Sequence, residues 1–332
     1  MKRSSLLGLL LLLTSVLHVK ASDYKYIRVG NENDIGTKAV PGYALMGGGT
    51  DLDEAFRFLC EKVPGGDFLI LRAAGDDDYN PYVKSLCKMN SVATLIIPSR
   101  EAANDPKVAD IIRHAEAVFI AGGDQARYIN WWQDTPVKDA LNAHIAAGRP
   151  IGGTSAGLAV LSEFIYSAQG DAPDDPDLRS SQALANPFFS RVTVRREFLK
   201  IDLLRNMLTD THFAKRDRMG RSLVFLARIV QDGWSPNPRE IAVDEKNAVL
   251  VESDGQARVI GSGRGAYFIQ VEKDENVCRA DTPLTFRKFA IYHAPAKTQF
   301  DLKTWSGSGG TSYTLSVDKG NVSSTQAGGS VY

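Results

Sequence analysis

An excess of charge of either sign is absent from this 332-residue sequence, in which 39 lysines and arginines face 39 aspartates and glutamates. With no basic surplus there is no electrostatic footprint for nucleic acid. Cysteine is scarce as well. Cys60, Cys87 and Cys278 are spaced too widely for a metal knuckle, and an odd number allows one disulfide at most. A disulfide framework is thereby excluded, and all three are read as buried apolar fillers in a chain stabilised by its core. Long apolar runs are missing too. Leu6 to Leu13, interrupted by Gly8, is too short for a comfortable membrane span. It follows Lys2 and Arg3 and precedes Val19-Lys20-Ala21, the order of an export signal over residues 1–21. Cleavage there leaves 36 basic and 39 acidic residues, a formal charge of −3. The expected product is secreted or periplasmic, with no stable membrane insertion.

What the chain does contain is a strand and helix alternation. Gly42 to Gly49, Asp67 to Arg72, Ala93 to Ile97 and Ala117 to Ala121 read as short strands, Asp67 to Arg72 as a continuous apolar run suited to a parallel strand buried on both faces and Ala117 to Ala121 as another buried strand. Between them, Asp51 to Lys62, Asn80 to Met89, Asp105 to His114 and Thr135 to Ala147 have helical spacing. The fold class expected is α/β, a mostly parallel open sheet with helices on both faces.

Gly153-Thr154-Ser155-Ala156-Gly157 fits a nucleophile elbow, in which a strand turns sharply into a helix and presents a serine. Leu158 to Leu161 should continue that apolar helix. The Ala156 amide would then face a developing oxyanion, with Gly122 or Gly123, after another strand, as the second donor. A phosphate-binding or merely structural turn fits the same glycines. Gly47-Gly48-Gly49 reads equally as a ligand approach or a tight turn. Of Trp131 and Trp132, one is expected in the core and one at the pocket wall. The acidic Asp76-Asp77-Asp78 reads as solvated loop, and residues 168–190 as a loop able to fold over the site.

A serine needs a base, and the base an orienting group. His114, His144, His212 and His293 follow the export signal. His212 stands apart because Arg216, Arg218 and Arg221 follow it within nine residues, a grouping suited to binding carboxylates through guanidinium forks. Arg239 to Val251 reads as two strands around a turn that holds Asp244 and Glu245. Leu284 to Tyr292 reads as a further strand, Phe300 to Val317 as a hairpin around Ser306 to Gly310, and Gly320 to Tyr332 as a flexible tail.

Gly122-Gly-Asp-Gln125, Gly153-Thr-Ser-Ala-Gly157, Asp210-Thr-His-Phe213 with its three arginines, Val243-Asp-Glu245 and Val259 to Gly263 together resemble the cyanophycinase branch of the S51 serine peptidases. The resemblance covers about residues 40–272. It implies a fold similar to class I glutamine amidotransferases over a catalytic domain of residues 22–272, followed by a β-rich extension, 273–332. It implies Ser155 as nucleophile, His212 as base and Glu245 as third member, with Gln125, Asp210, Arg216, Arg218 and Arg221 at substrate-pocket positions. Thr211 stands where the family carries glutamine, Leu158 replaces a small residue, and the acidic loop 168–190 is longer.

The function so implied is a serine exopeptidase that releases β-aspartyl-arginine dipeptides from an arginine-decorated polyaspartate, without metal or organic cofactor. The expected partner is a peptide or polymer rich in aspartate, and a homodimer is left open. The alternatives are a peptidase acting on α-aspartyl peptides, a non-catalytic protein that captures acidic peptides, and an esterase or acyltransferase.

Overall fold

The computed structural model describes residues 23–170, 177–272 and 277–332. The expected export signal and Asp171, Asp174 and Asp175 of the acidic loop lie outside these residues. Through the first half the order is β1 (Lys25–Gly30), β2 (Gly42–Met46), α1 (Asp53–Glu61), β3 (Asp67–Arg72), α2 (Tyr79–Leu86), β4 (Ser91–Ile96), α3 (Arg100–Ala103), α4 (Pro106–His114), β5 (Ala117–Ile120), α5 (Gln125–Trp132), α6 (Pro136–Ala146) and β6 (Ile151–Thr154). Strands β4, β3, β5, β6 and β2 run parallel in that spatial order. Their apolar runs divide between two faces. In β3, Leu69 and Leu71 join the core under α4, α5 and α6, whereas Phe68 and Ile70 join the core under α1. The expected parallel sheet with helices on both faces is therefore present. Helix α4 starts where its Pro106 suggests, with the Asp105 carboxylate accepting from the Lys107 amide.

The second half adds a layer that the sequence pattern did not reveal. It continues with α7 (Ala156–Ala159), β7 (Phe164–Tyr166), α8 (Ser180–Ala185), β8 (Val194–Arg196), β9 (Met207–Asp210), α9 (Met219–Gln231) and β10 (Arg239–Val243). Then come β11 (Asn247–Glu252), β12 (Gln256–Gly261), β13 (Ala266–Val271), β14 (Phe286–Ala294), β15 (Gln299–Asp301), β16 (Ser306–Ser308), β17 (Thr311–Asp318) and β18 (Asn321–Ser324). Strands β11, β12, β15 and β16 extend the first sheet to ten strands beyond β2. The others form an eight-stranded second sheet, with β7, β9 and β10 parallel at one end. Alternation along its strands sends Ile241, Val243 and Phe268 toward the first sheet and Ala242, Tyr267 and Ile269 toward α9. Helix α9 buries Leu223, Phe225, Leu226 and Ile229 completely, each worth on the order of 2 kcal/mol of hydrophobic stabilisation.

Several expectations change in this setting. Arg239 to Val251 is no hairpin, because β10 pairs with β9 and β13 while β11 pairs with β2 and β12. The turn between them crosses from one sheet to the other. The elbow helix α7 stops after one turn, since the Ser162 hydroxyl donates to the Phe164 carbonyl and the chain leaves as β7. Cys60 and Cys87 are not separate fillers. They form a disulfide between the ends of α1 and α2, while Cys278 is free and buried. The Gly320–Tyr332 stretch is ordered. Strand β18 pairs with β17, and the Tyr332 ring meets Phe213 and Tyr267. Ser306 to Ser308 is strand β16, paired with β15, not the turn of a hairpin. Within 168–190, Ser180–Ala185 is helix α8, packed on α9.

Candidate active site

The parallel strands of both sheets end at one cleft. From the first sheet come the residues after β2, β5 and β6, and from the second those after β7, β9 and β10. Ligand sites of α/β sheets lie at such carboxyl ends. The seam between the sheets is stitched beside the cleft. The Thr209 hydroxyl of β9 bonds the Leu158 carbonyl at 2.9 Å, and it meets the Ser162 hydroxyl at 2.8 Å. The turn that bears Ser155 is thus held against the strand that carries His212.

Ser155 has φ 52° and ψ −120°, a strained conformation for a residue with a side chain. Crossing of the chain imposes it. A Cβ on Gly157 would lie 1.9 Å from the Ile120 carbonyl oxygen, so only glycine permits the helix to start this close to β5. The Ser155 amide is tied to the Met46 carbonyl at 3.1 Å. Its hydroxyl lies 2.7 Å from His212 Nε2, and His212 Nδ1 lies 2.7 Å from Glu245 Oε1. With the imidazole neutral, Nδ1–H donates to Glu245 and Nε2 accepts a hydrogen bond from the Ser155 hydroxyl.

Ser155 and Glu245 sit where the chain crosses from one sheet to the other and His212 at the end of β9, with the Gly47–Gly49 loop lying against His212 and Glu245. His212 donates its amide to the Gly47 carbonyl at 2.8 Å, and Lys246 donates to the Gly48 carbonyl at 2.9 Å. Gly48 has φ +93°, and a Cβ there would stand 2.5 Å from His212 Cε1. Gly48 is therefore the surface on which the imidazole lies, while Gly49 backs the Glu245 side chain. Asp244, next to Glu245, is buried and accepts from the amides of Lys215 and Arg264. It fastens the segment after His212 to the turn that carries Glu245.

Burial lowers the pKa of His212, against the Glu245 hydrogen bond, and the charges of Arg216 and Arg218 lower it further. Burial alone would raise the pKa of Glu245. The His212 hydrogen bond and the charges of His212, Arg216 and Lys215 outweigh it, so the carboxyl sits below its usual range. Both shifts favour a neutral imidazole beside an ionised carboxylate. Gly122 lies beside the serine, where a Cβ on it would be 3.5 Å from Ser155 Cβ, and Gly123 lines the same cleft. Ala156 opens the first turn of α7.

The cleft is a cavity of about 430 Å³ lined by Ser155, His212, Gln125, Tyr166, Asp177 and the three arginines, among others. Trp131 is not among its lining residues, and Trp132 is fully buried. The arginines differ from the sequence expectation of three open forks. Arg216 is half exposed, 3.7 Å from Glu245 Oε1. Arg221 is 1% exposed and spends Nε and Nη2 on the two oxygens of Asp210, at 2.9 and 2.6 Å. Asp210 is itself buried and serves as the base of the arginine pair, not as part of the pocket lining. Asp177, which sequence reasoning left in an acidic loop, reaches both Arg218 and Arg221.

Among the described residues, one trio able to group around a metal ion is Asp34, Asp67 and Glu116. None of the three lines the cavity that holds Ser155, and Asp67 already accepts from Arg28, Asn90 and Ser91. The Asp76–Asp78 run is largely solvated, as expected.

The family model of peptidase family S51 matches residues 69–194. That span includes Ser155 but neither His212 nor Glu245. The cyanophycinases of Trichormus variabilis (strain ATCC 29413 / PCC 7937) and Nostoc sp. (strain PCC 7120 / SAG 25.82 / UTEX 2576) are each 30% identical over 205 residues, 60% of this chain and 62% of theirs. The cyanophycinase of Synechococcus elongatus is 28% identical over 176 residues, 53% of this chain and 48% of its own. The chain thus spans less than two thirds of the length of these curated relatives. Among solved structures, a peptidase from an acI-B1 Actinobacterium superposes with a TM-score of 0.47 at 17% identity, over 73% of this chain and 98% of that one.

Proposed function

We propose, from the likeness of this chain to the cyanophycinases and to peptidase family S51, that it is a serine peptidase acting on aspartyl peptide or isopeptide bonds. The substrate we favour is cyanophycin, cut to β-aspartyl-arginine dipeptides. The observation that carries this reading is the continuous 2.7 Å relay from Ser155 through His212 to Glu245 at the strand ends of two sheets. His212 takes the Ser155 proton as the hydroxyl attacks the aspartyl carbonyl. The Ala156 amide, with that of Gly122 or Gly123, holds the oxyanion. Glu245 orients the imidazole and stabilises its charged form. His212 then protonates the leaving amine, and water activated by the same imidazole hydrolyses the acyl-enzyme.

We also propose export. The leader-like residues 1–21 support it, and so does the Cys60–Cys87 cross-link, a bond that persists in oxidising compartments. The test is incubation of the chain from Ser22, and of its Ser155→Ala variant, with purified cyanophycin. Soluble β-Asp-Arg from the unaltered chain alone is the expected result. Absence of dipeptide with fluorophosphonate labelling of Ser155 intact would discard the polymer and keep the serine hydrolase. Absence of both would overturn the enzyme.

A further inference from the structure

Arg218 and Arg221 form a socket built for one anion. Arg221 Nε and Nη2 are occupied by Asp210, and Arg218 Nη1 donates to the Thr211 carbonyl at 2.9 Å. One outward nitrogen remains on each guanidinium. The two converge on Asp177, with Arg218 Nη2 at 2.8 and 2.9 Å from its two oxygens and Arg221 Nη1 at 2.7 Å from Oδ1.

The charges behind the socket ask for such a ligand. Asp210 balances one of the two arginines. Glu240, hydrogen-bonded by Ser222 next to Asp210, is pushed well above the carboxylate range by burial and by the Asp210 charge, so it adds no second negative charge. One positive charge is left facing the cleft. Arg218, Arg221 and Asp210 are nearly inaccessible, with side chains 9%, 1% and 3% exposed, whereas Asp177 is 30% exposed. Asp177 is thus the outermost member, and it lines the cavity that holds Ser155 and His212.

We infer that Asp177 is an internal stand-in for a substrate carboxylate. The socket recognises one carboxylate of an acidic peptide, and that carboxylate binds by exchanging with Asp177. Asp177 thereby sets the affinity of the site for acidic substrates without taking part in the chemistry. This assignment rests on the proposal that the cleft receives an aspartyl peptide, and it deepens that proposal by naming the residue which the substrate must replace.

The test is succinate binding by calorimetry to the unaltered chain and to Asp177→Asn, with the diamide succinamide as the uncharged control. Succinate should bind the variant about tenfold more tightly, the factor expected if the unaltered socket is open about a tenth of the time. Succinamide should not distinguish the two proteins. On an acidic peptide substrate, KM should fall in the variant with kcat unchanged. Equal succinate affinities would overturn the inference. A raised KM would overturn it as well, because Asp177 would then be a direct substrate contact. Should Asp177→Asn fold poorly, Asp177→Ser is measured with and without succinate. Saturable recovery of its melting temperature by succinate but not succinamide supports the socket, and no recovery rejects it. Fluorophosphonate labelling of Ser155 in the same samples reports on the hydrolase reading separately.

Discussion

His212 rests on a glycine, and the placement of its imidazole depends on Gly48 having no side chain. Alanine at position 48 would place a methyl group 2.5 Å from the imidazole and strain a backbone at φ +93°. The ring must then shift by about an ångström, which costs roughly 100-fold in rate when a proton relay is displaced. Gly48→Ala is expected to lower kcat by that factor, with substrate KM and the circular dichroism spectrum little changed. Glu245→Gln keeps the side-chain shape but removes the charge that stabilises the imidazolium, and a fall in kcat of about 10⁴ is expected. The pH profile follows from the direction of the His212 shift. In the proposed mechanism His212 works as a base when neutral and its pKa is lowered from 6.5, so the acid limb of kcat/KM should have its midpoint below 6.5. The Arg216 charge contributes to that lowering. Arg216→Gln should therefore move the limb to higher pH, and an unmoved limb would refute the electrostatic account.

At the scale of elements, β9, β10 and α9 share a buried polar knot of Asp210, Arg221, Ser222 and Glu240. Glu240 is fully buried, and its pKa is raised by burial and by the Asp210 charge. As pH climbs above 4.5, the unfolded chain releases this proton while the folded one retains it, so the unfolded state gains. Glu240 accordingly costs stability at neutral pH and none in acid below 4.5. Glu240→Gln is expected to melt higher than the unaltered chain at pH 8, with the difference vanishing toward pH 4. A constant difference across that range would show that packing, not protonation, is responsible. None of this was legible in the sequence. The apolar residues of α9 follow a cluster of arginines, and charged residues at a helix start ordinarily face water. Here Asp210 and Asp177 draw two of them inward.

At the scale of the molecule, the cleft that holds Ser155 is the seam of two sheets, and it is held by contacts from both. The Cys60–Cys87 disulfide lies within the first sheet's helical layer and closes a loop of 27 residues. Restriction of the unfolded chain by a loop of that length is worth about 3.5 kcal/mol. The Cys60→Ser/Cys87→Ser double variant should lose stability of that order in urea, and the unaltered chain should lose it on reduction. Since neither cysteine lines the cleft that holds Ser155, the reduced protein should still label with fluorophosphonate below its melting temperature. Labelling lost before unfolding would show that the disulfide supports the cleft directly.

Local chemistry was enough to make much of this protein legible. The parallel strands β3, β4 and β5 could be placed because strands buried on both faces must be continuously apolar, and Ser155 because a strand-to-helix reversal around a nucleophile needs small neighbours. His212 and Glu245 were recognisable by their family-like motifs. What only the tertiary structure decided is everything that depends on two distant segments meeting. No periodicity tells a hairpin from two strands that leave for different sheets, so the crossing at Asp244–Glu245 is invisible along the chain. The bed that Gly48 makes for an imidazole 164 positions later is a contact, not a pattern. So is the Cys60–Cys87 bond, and so is the Asp177 carboxylate in its socket. Side-chain type and spacing select the local conformation of a segment. Its partners are selected by burial and by the pairing of charge, which exist only once the two sheets have closed on each other.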